Sequence, residues 1–159
     1  MNTANFLKGL IKTRIVQLVE NSEDISLSYF NDSKSYIFSA KLLFNEGRFK
    51  EATQLSYFSL YYSILGILFK IGIKSENHSA SILLLKEVFE IDNQFALKLK
   101  EKRVGTYYPD FEIERKSLEQ TIKETEDFNS FIFNFVSKLD SGKINFYRSK
   151  FNELANKDG

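Results

Sequence analysis

The sequence contains no cysteine. Disulfides, thiolate metal sites and cysteine nucleophiles are therefore excluded. Among its 159 residues there is one proline and one histidine. So little proline, with only seven glycines, suits long helices better than many short strands. One histidine without cysteine and without a recognisable carboxylate motif makes a poor metal site, and neither metal nor cofactor is expected. Neither sign of charge is in excess: 22 basic and 21 acidic residues leave a formal net charge of +1. No general pull toward nucleic acid or an acidic membrane follows, and only a local patch can supply one. The start, Met1 to Lys8, lacks the charged-then-apolar layout of a signal peptide. The uncharged stretch Ala52 to Phe69 is broken by Thr53, Gln54, Ser56, Ser59 and Ser63 and closed by Lys70. A membrane span needs about 20 mainly apolar residues. The expectation is a cytoplasmic protein with no membrane partner.

What is abundant is aromatic: 16 phenylalanines and 8 tyrosines. They predict an aromatic core inside one domain spanning 1–159, with its centre at about 23–139. The stretch Gly47 to Gly72 organises the rest. Leu55, Phe58, Tyr62, Leu65 and Phe69 form one helical stripe, and Tyr57, Tyr61, Ile64, Leu68 and Ile71 a second beside it. A helix apolar on most sides is buried among other helices. Upstream, Glu23 to Glu46 carries Phe30, Ser33, Ile37, Ala40 and Phe44 at helical spacing, and Gly47 ends it. The short connection predicts an antiparallel helical hairpin. Asn5 to Glu20 is predicted as one helix, Ile73 to Asn77 as a loop, and His78 to Phe89 and Gln94 to Arg103 as shorter helices. Pro109 breaks the pattern, Asp110 is placed to cap a helix running to Leu139, and 143–156 forms a last helix. No repeat, linker or competing strand signal is visible. The predicted fold class is all-α, an up-and-down bundle of four to five main helices with extra short ones.

Two stretches carry a resemblance. Gly47-Arg48-Phe49-Lys50-Glu51-Ala52, followed by Ser56-Tyr57-Phe58-Ser59-Leu60-Tyr61-Tyr62, resembles the hairpin of many prokaryotic members of the HEPN domain superfamily. Ala40-Lys41-Leu42-Leu43 fits the end of the preceding helix. Arg103-Val104-Gly105-Thr106-Tyr107-Tyr108 stands where that family places its arginine motif. The resemblance covers about Asp24 to Val136. It implies a helical bundle, commonly a homodimer, working beside a minimal nucleotidyltransferase as partner or as toxin to its antitoxin. It also implies a nucleotide- or RNA-associated role. Several branches are metal-independent ribonucleases, in which an arginine grips phosphate bidentately and a histidine four to six positions on moves a proton.

This chain departs from the ribonuclease motif. Val104 follows Arg103 where a polar residue is usual, no histidine follows, and Tyr108 stands at the histidine's place in an arginine-x4-tyrosine ending. With an ordinary pKa of about 10, tyrosine is a poor base at neutral pH. The balance leans away from an enzyme and toward an interaction module. A ribonuclease using Arg103 with Tyr107 or Tyr108, with His78 brought across a dimer, is the alternative; a ligand-free helical adaptor is a third reading. In some toxin pairs a tyrosine two places beyond the histidine receives a nucleotide; here that place is Asp110.

The candidate residues also have plain structural readings. Arg103 is either a phosphate contact or a cation placed at a helix C-terminus by the dipole. Lys102, with Lys98 and Lys100, either widens an RNA-backbone contact or is a solvated face. Tyr107 and Tyr108 either stack bases or pin a loop to the core. His78 is either catalytic or the first turn of a helix. Tyr57, Tyr61 and Tyr62 have the spacing of core residues or of a self-complementary dimer face.

Overall fold

The computed structural model describes residues 2–156. It is an all-α bundle: α1 (Thr3–Lys12), α2 (Glu23–Asn45), α3 (Phe49–Ile71), α4 (His78–Phe89), α5 (Gln94–Gly105), α6 (Arg115–Ser137) and α7 (Ser141–Asn156). Two short strands, β1 (Val16–Leu18) and β2 (Ile73–Ser75), form a small antiparallel sheet. α3 is the axis, and α2, α4, α5, α6 and α7 all pack on it.

Local chemistry sets the helix ends. Ser22 caps α2, its hydroxyl accepting from the Ile25 amide at 3.2 Å, and Glu23 and Asp24 fill the first turn. Gly72 ends α3 at φ 82°, a conformation that favours glycine. The space there is full as well. A Cβ on Gly72 would meet the Val19 carbonyl, Arg148 Nη1 and, at 2.8 Å, the Asn21 amide. Arg148, on α7, donates to the Val19 carbonyl at 2.8 Å and the Ile71 carbonyl at 2.7 Å. One cation thus fastens α7 to the negative end of α3.

The α2–α3 hairpin is close-packed through small side chains. Ser26 Oγ donates to the Gly66 carbonyl at 2.7 Å. Seven residues on, Ser33 Oγ donates to the Ser59 carbonyl, and Ser59 Oγ returns a bond to the Ser33 carbonyl, both at 2.7 Å. Ala40 and Ala52, seven further along each helix, are fully buried and share one apolar cluster. An antiparallel register with a seven-residue step brings the two backbones together. The hydroxyls that interrupt the apolar run of α3 are satisfied locally. Thr53 bonds the Phe49 carbonyl, Ser56 that of Ala52 and Ser63 that of Leu60.

Three expectations need correction. The helix predicted over Asn5 to Glu20 stops at Lys12. Thr13 Oγ1 bonds back to the Gly9 carbonyl, Arg14 turns left-handed at φ 60°, and the chain continues as β1. The stretch Ile73 to Asn77 is not all loop, since Val16 pairs with Ser75 and Leu18 with Ile73. Branched Val16 and Ile73, both fully buried, suit a strand as well as a helix face. The sixth helix does not begin at Asp110: its N-cap is Glu114, without a side-chain cap bond. Phe111 instead packs its ring against Gly105, where a Cβ would collide with it.

Candidate functional site

The site is built where α5 ends beside the middle of α3. Gln54 Nε2 donates to Thr106 Oγ1 at 2.9 Å, and Thr106 Oγ1 donates to the Arg103 carbonyl at 2.6 Å. Lys50 Nζ donates to the Tyr108 carbonyl at 3.1 Å. These bonds fix the last turn of α5 on α3 and aim Arg103 at the tyrosine stripe. Its guanidinium lies 4.8 Å over the Tyr57 ring and 5.8 Å over the Phe58 ring. Nη1 donates to the Tyr107 hydroxyl at 3.2 Å. Nε is buried and has no hydrogen-bond acceptor. Among the described residues no carboxylate pairs with Arg103. The cation is held by aromatic faces, worth about 0.5–2 kcal/mol per contact according to desolvation.

The only histidine arrives at the same place from α4. Asn77 caps that helix, accepting from the Ala80 amide at 2.9 Å. His78 is therefore its first helical residue. Its ring stacks on Tyr61 at 3.9 Å between centroids and 8° between planes. His78 Nδ1 is 2.7 Å from the Tyr57 hydroxyl. Tyr57 is fully buried, and burial holds its hydroxyl well above the ordinary tyrosine value despite Arg103 nearby. A buried hydroxyl proton needs an acceptor. Tyr57 thus donates to Nδ1, and the neutral imidazole carries its proton on Nε2. Burial first, then Arg103 and Lys100, lower the His78 pKa from 6.5. The ring is neutral at pH 7.

Lys100 completes the group. It lies one turn before Arg103 on α5, and its Nζ donates to Ser79 Oγ, next to His78, at 2.6 Å. Among the described residues Lys100 also lacks a carboxylate partner. Two half-buried cations and a neutral histidine therefore meet with no acid between them.

Of the residues singled out by sequence, the structure brings Arg103, Tyr107 and His78 together. Lys102 turns away, donating to Thr121 Oγ1 on α6 at 3.0 Å. The Tyr108 side chain is 61% exposed, and its carbonyl, not its ring, meets Lys50. Tyr57 and Tyr61 belong to the monomer core. Tyr57 was read only as a core or dimer-face residue, and Lys100 only as one member of a basic cluster with Lys98 and Lys102. The Tyr57-x3-Tyr61 spacing on one face of α3 was visible, but nothing in sequence reported that α4 would set His78 against that face.

A family model for the HEPN domain matches residues 27–136. The chain belongs to the HEPN domain family. The match runs from Leu27, one turn into α2, to Val136, one residue short of the end of α6, and includes the hairpin and the Arg103 turn. HEPN membership implies a nucleotide- or RNA-related function. No curated protein and no solved structure matches the chain. Among the described residues no helix is long and apolar enough to cross a membrane, and no group of acidic or histidine side chains is arranged to hold a metal ion.

Proposed function

We propose that this HEPN domain is a phosphate-binding interaction module for a nucleotide or RNA, acting as a homodimer beside a minimal nucleotidyltransferase in a toxin–antitoxin-like, stress or defence system. The observation that carries the reading is Arg103. It is half-buried, held by Tyr57, Phe58 and Tyr107, and unpaired with any described carboxylate. An arginine kept in place by rings keeps its charge for an incoming anion. Tyr107, 63% exposed and bonded to the guanidinium, stands beside it as a platform for a base. The test is fluorescence anisotropy with a short single-stranded RNA. Arg103→Ala is expected to weaken binding by about tenfold or more, the scale of one charge-assisted contact. Wild-type protein that binds neither RNA nor nucleotide overturns the reading. Sedimentation at micromolar concentration tests the dimer, and co-purification with a nucleotidyltransferase tests the partner.

A second reading has one specific observation behind it. His78 lies beside Arg103 within a single chain, neutral and bonded through Nδ1 to the Tyr57 hydroxyl. Imidazole is the side chain suited to take a proton near neutral pH, which Tyr108 is not. To do so here the ring must move its proton to Nδ1, with the Tyr57 hydroxyl turning acceptor, so that Nε2 is freed as the base. Under this reading the domain is a metal-independent ribonuclease. RNA cleavage in the presence of a chelator, lost in both His78→Ala and Arg103→Ala, supports it; equal background cleavage by all three proteins removes it.

A further inference from the structure

We propose that the anion taken at this site is a terminal phosphate monoester, on a mononucleotide or at the end of an RNA strand, gripped jointly by Arg103, Lys100 and His78. This rests on the phosphate-binding reading above and narrows it from phosphate in general to a chain end.

The first argument is charge. A phosphodiester inside a strand carries one negative charge, whereas a monoester carries about −1.5 to −2 at pH 7. Lys100 and Arg103 are both half-buried cations, one turn apart on α5, and neither has a carboxylate partner among the described residues. Two like charges confined together are destabilising unless an anion of similar charge joins them.

The second argument is the count of donors. Tyr57 occupies His78 Nδ1, which leaves the Nε2–H without a described partner. Ser79 takes one of the three Lys100 protons. Arg103 spends Nη1 on Tyr107, and its Nε is sealed in, but Nη2 has no described partner. Each of the three side chains therefore keeps at least one donor. Three donors match the three terminal oxygens of a monoester. An internal diester offers only two non-bridging oxygens.

The scaffold also limits what a fourth contact can be. His78 is pinned on both faces of its role, by the Tyr61 stack and the Tyr57 bond, and Lys100 is tied to the residue next to it. The donors are thus preorganised on α4 and α5 instead of being gathered from flexible chains, which favours one compact anion over a run of backbone phosphates.

The experiment compares oligouridylates that differ only at one end: 5′-phosphate against 5′-hydroxyl, and 3′-phosphate against 3′-hydroxyl, each labelled at the opposite end. Competition with uridine monophosphate and with uridine separates mononucleotide from strand end. A phosphorylated end is expected to bind about tenfold tighter or better. Lys100→Gln, which removes the charge while keeping a polar side chain, is expected to abolish that preference. Arg103→Ala is expected to weaken both. Equal wild-type affinity for phosphate- and hydroxyl-ended ligands overturns the inference, and continued weakening by Arg103→Ala then leaves the phosphate-binding reading standing. Absence of binding to every ligand overturns both. A preference that survives in Lys100→Gln removes Lys100 from the grip.

Discussion

Replacing Tyr57 by phenylalanine isolates one bond of the site. The ring stays, so Arg103 keeps its aromatic face and Tyr61 its neighbour. Only the hydroxyl that donates to His78 Nδ1 at 2.7 Å is lost. A net hydrogen bond contributes about 0.5–1.5 kcal/mol, and a buried partner left unsatisfied adds a desolvation penalty of about 1–3 kcal/mol. His78 is only half-buried, so water recovers most of that second part. The expected loss is therefore about 1–2 kcal/mol, or roughly 2–8 °C in melting temperature for a domain of this size. Urea unfolding is the assay, with a lower midpoint at an unchanged slope. Imidazole nitrogen NMR supplies a second readout. In the wild type the proton sits on Nε2; in Tyr57→Phe that restriction is lifted, and His78 titrates higher because its neutral form has lost a donor. Tyr61→Phe is the comparison. Its hydroxyl is 3.3 Å from Ser81 Oγ, which also bonds Ser75 Oγ at 2.9 Å and the Asn77 carbonyl at 3.0 Å, so the loss should be smaller. An unchanged midpoint together with an unchanged tautomer in Tyr57→Phe would refute the bond and the proton assignment built on it.

The same histidine predicts a pH dependence. Its folded-state pKa lies below the ordinary 6.5, so the unfolded chain takes up its proton first. Its contribution to stability is full above about pH 6.5 and is lost as pH falls toward the lower folded value. The slope from one such group is at most about 1.4 kcal/mol per pH unit. His78→Phe, which keeps the stack on Tyr61, should flatten the stability profile between neutral pH and the carboxylate range; a profile as steep as wild type sinks the assignment. In the hairpin, Ser59→Val removes a donor to the Ser33 carbonyl and adds carbon between two close backbones. Lost bonding and overpacking together should destabilise by about 2–4 kcal/mol, read by urea unfolding, and a change below about 0.5 kcal/mol contradicts the register.

The fold was readable because its main signals are local. α2, α3 and α4 lie within about one or two residues of the bounds their periodicity and caps predict. The missed elements are those decided by distant partners. Ile15 to Val19 keep helical spacing, yet Val16 and Leu18 are claimed by β2 across more than fifty residues of chain. Asp110 has the chemistry of a cap, but the Phe111 ring on Gly105 holds the following turn open. At the site, Arg103 was found through its place in a motif and Tyr107 through its neighbourhood. His78 was read as a helix start, which it is, and its contact with Tyr57 and Tyr61 is tertiary. Lys100 looked like one of several surface lysines; its bond to Ser79 distinguishes it from exposed Lys98.

α3 joins both halves of this account. Its side toward α2 carries Ala52, Ser59 and Gly66, small enough for hydroxyl-to-carbonyl bonding between helices. Its side toward α4 and α5 carries Tyr57, Phe58 and Tyr61, large enough to carry a guanidinium and an imidazole on their faces. The two requirements depend on each other. A close, bonded hairpin fixes the rotation of α3 about its own axis, because a rotation of one residue would move Ser59 off the Ser33 carbonyl. That rotation also decides where the Tyr57 ring stands under Arg103 and whether its hydroxyl reaches His78. The buried serines of α3, which interrupt its apolar run for no evident gain in sequence, are thereby part of how the site is held in register.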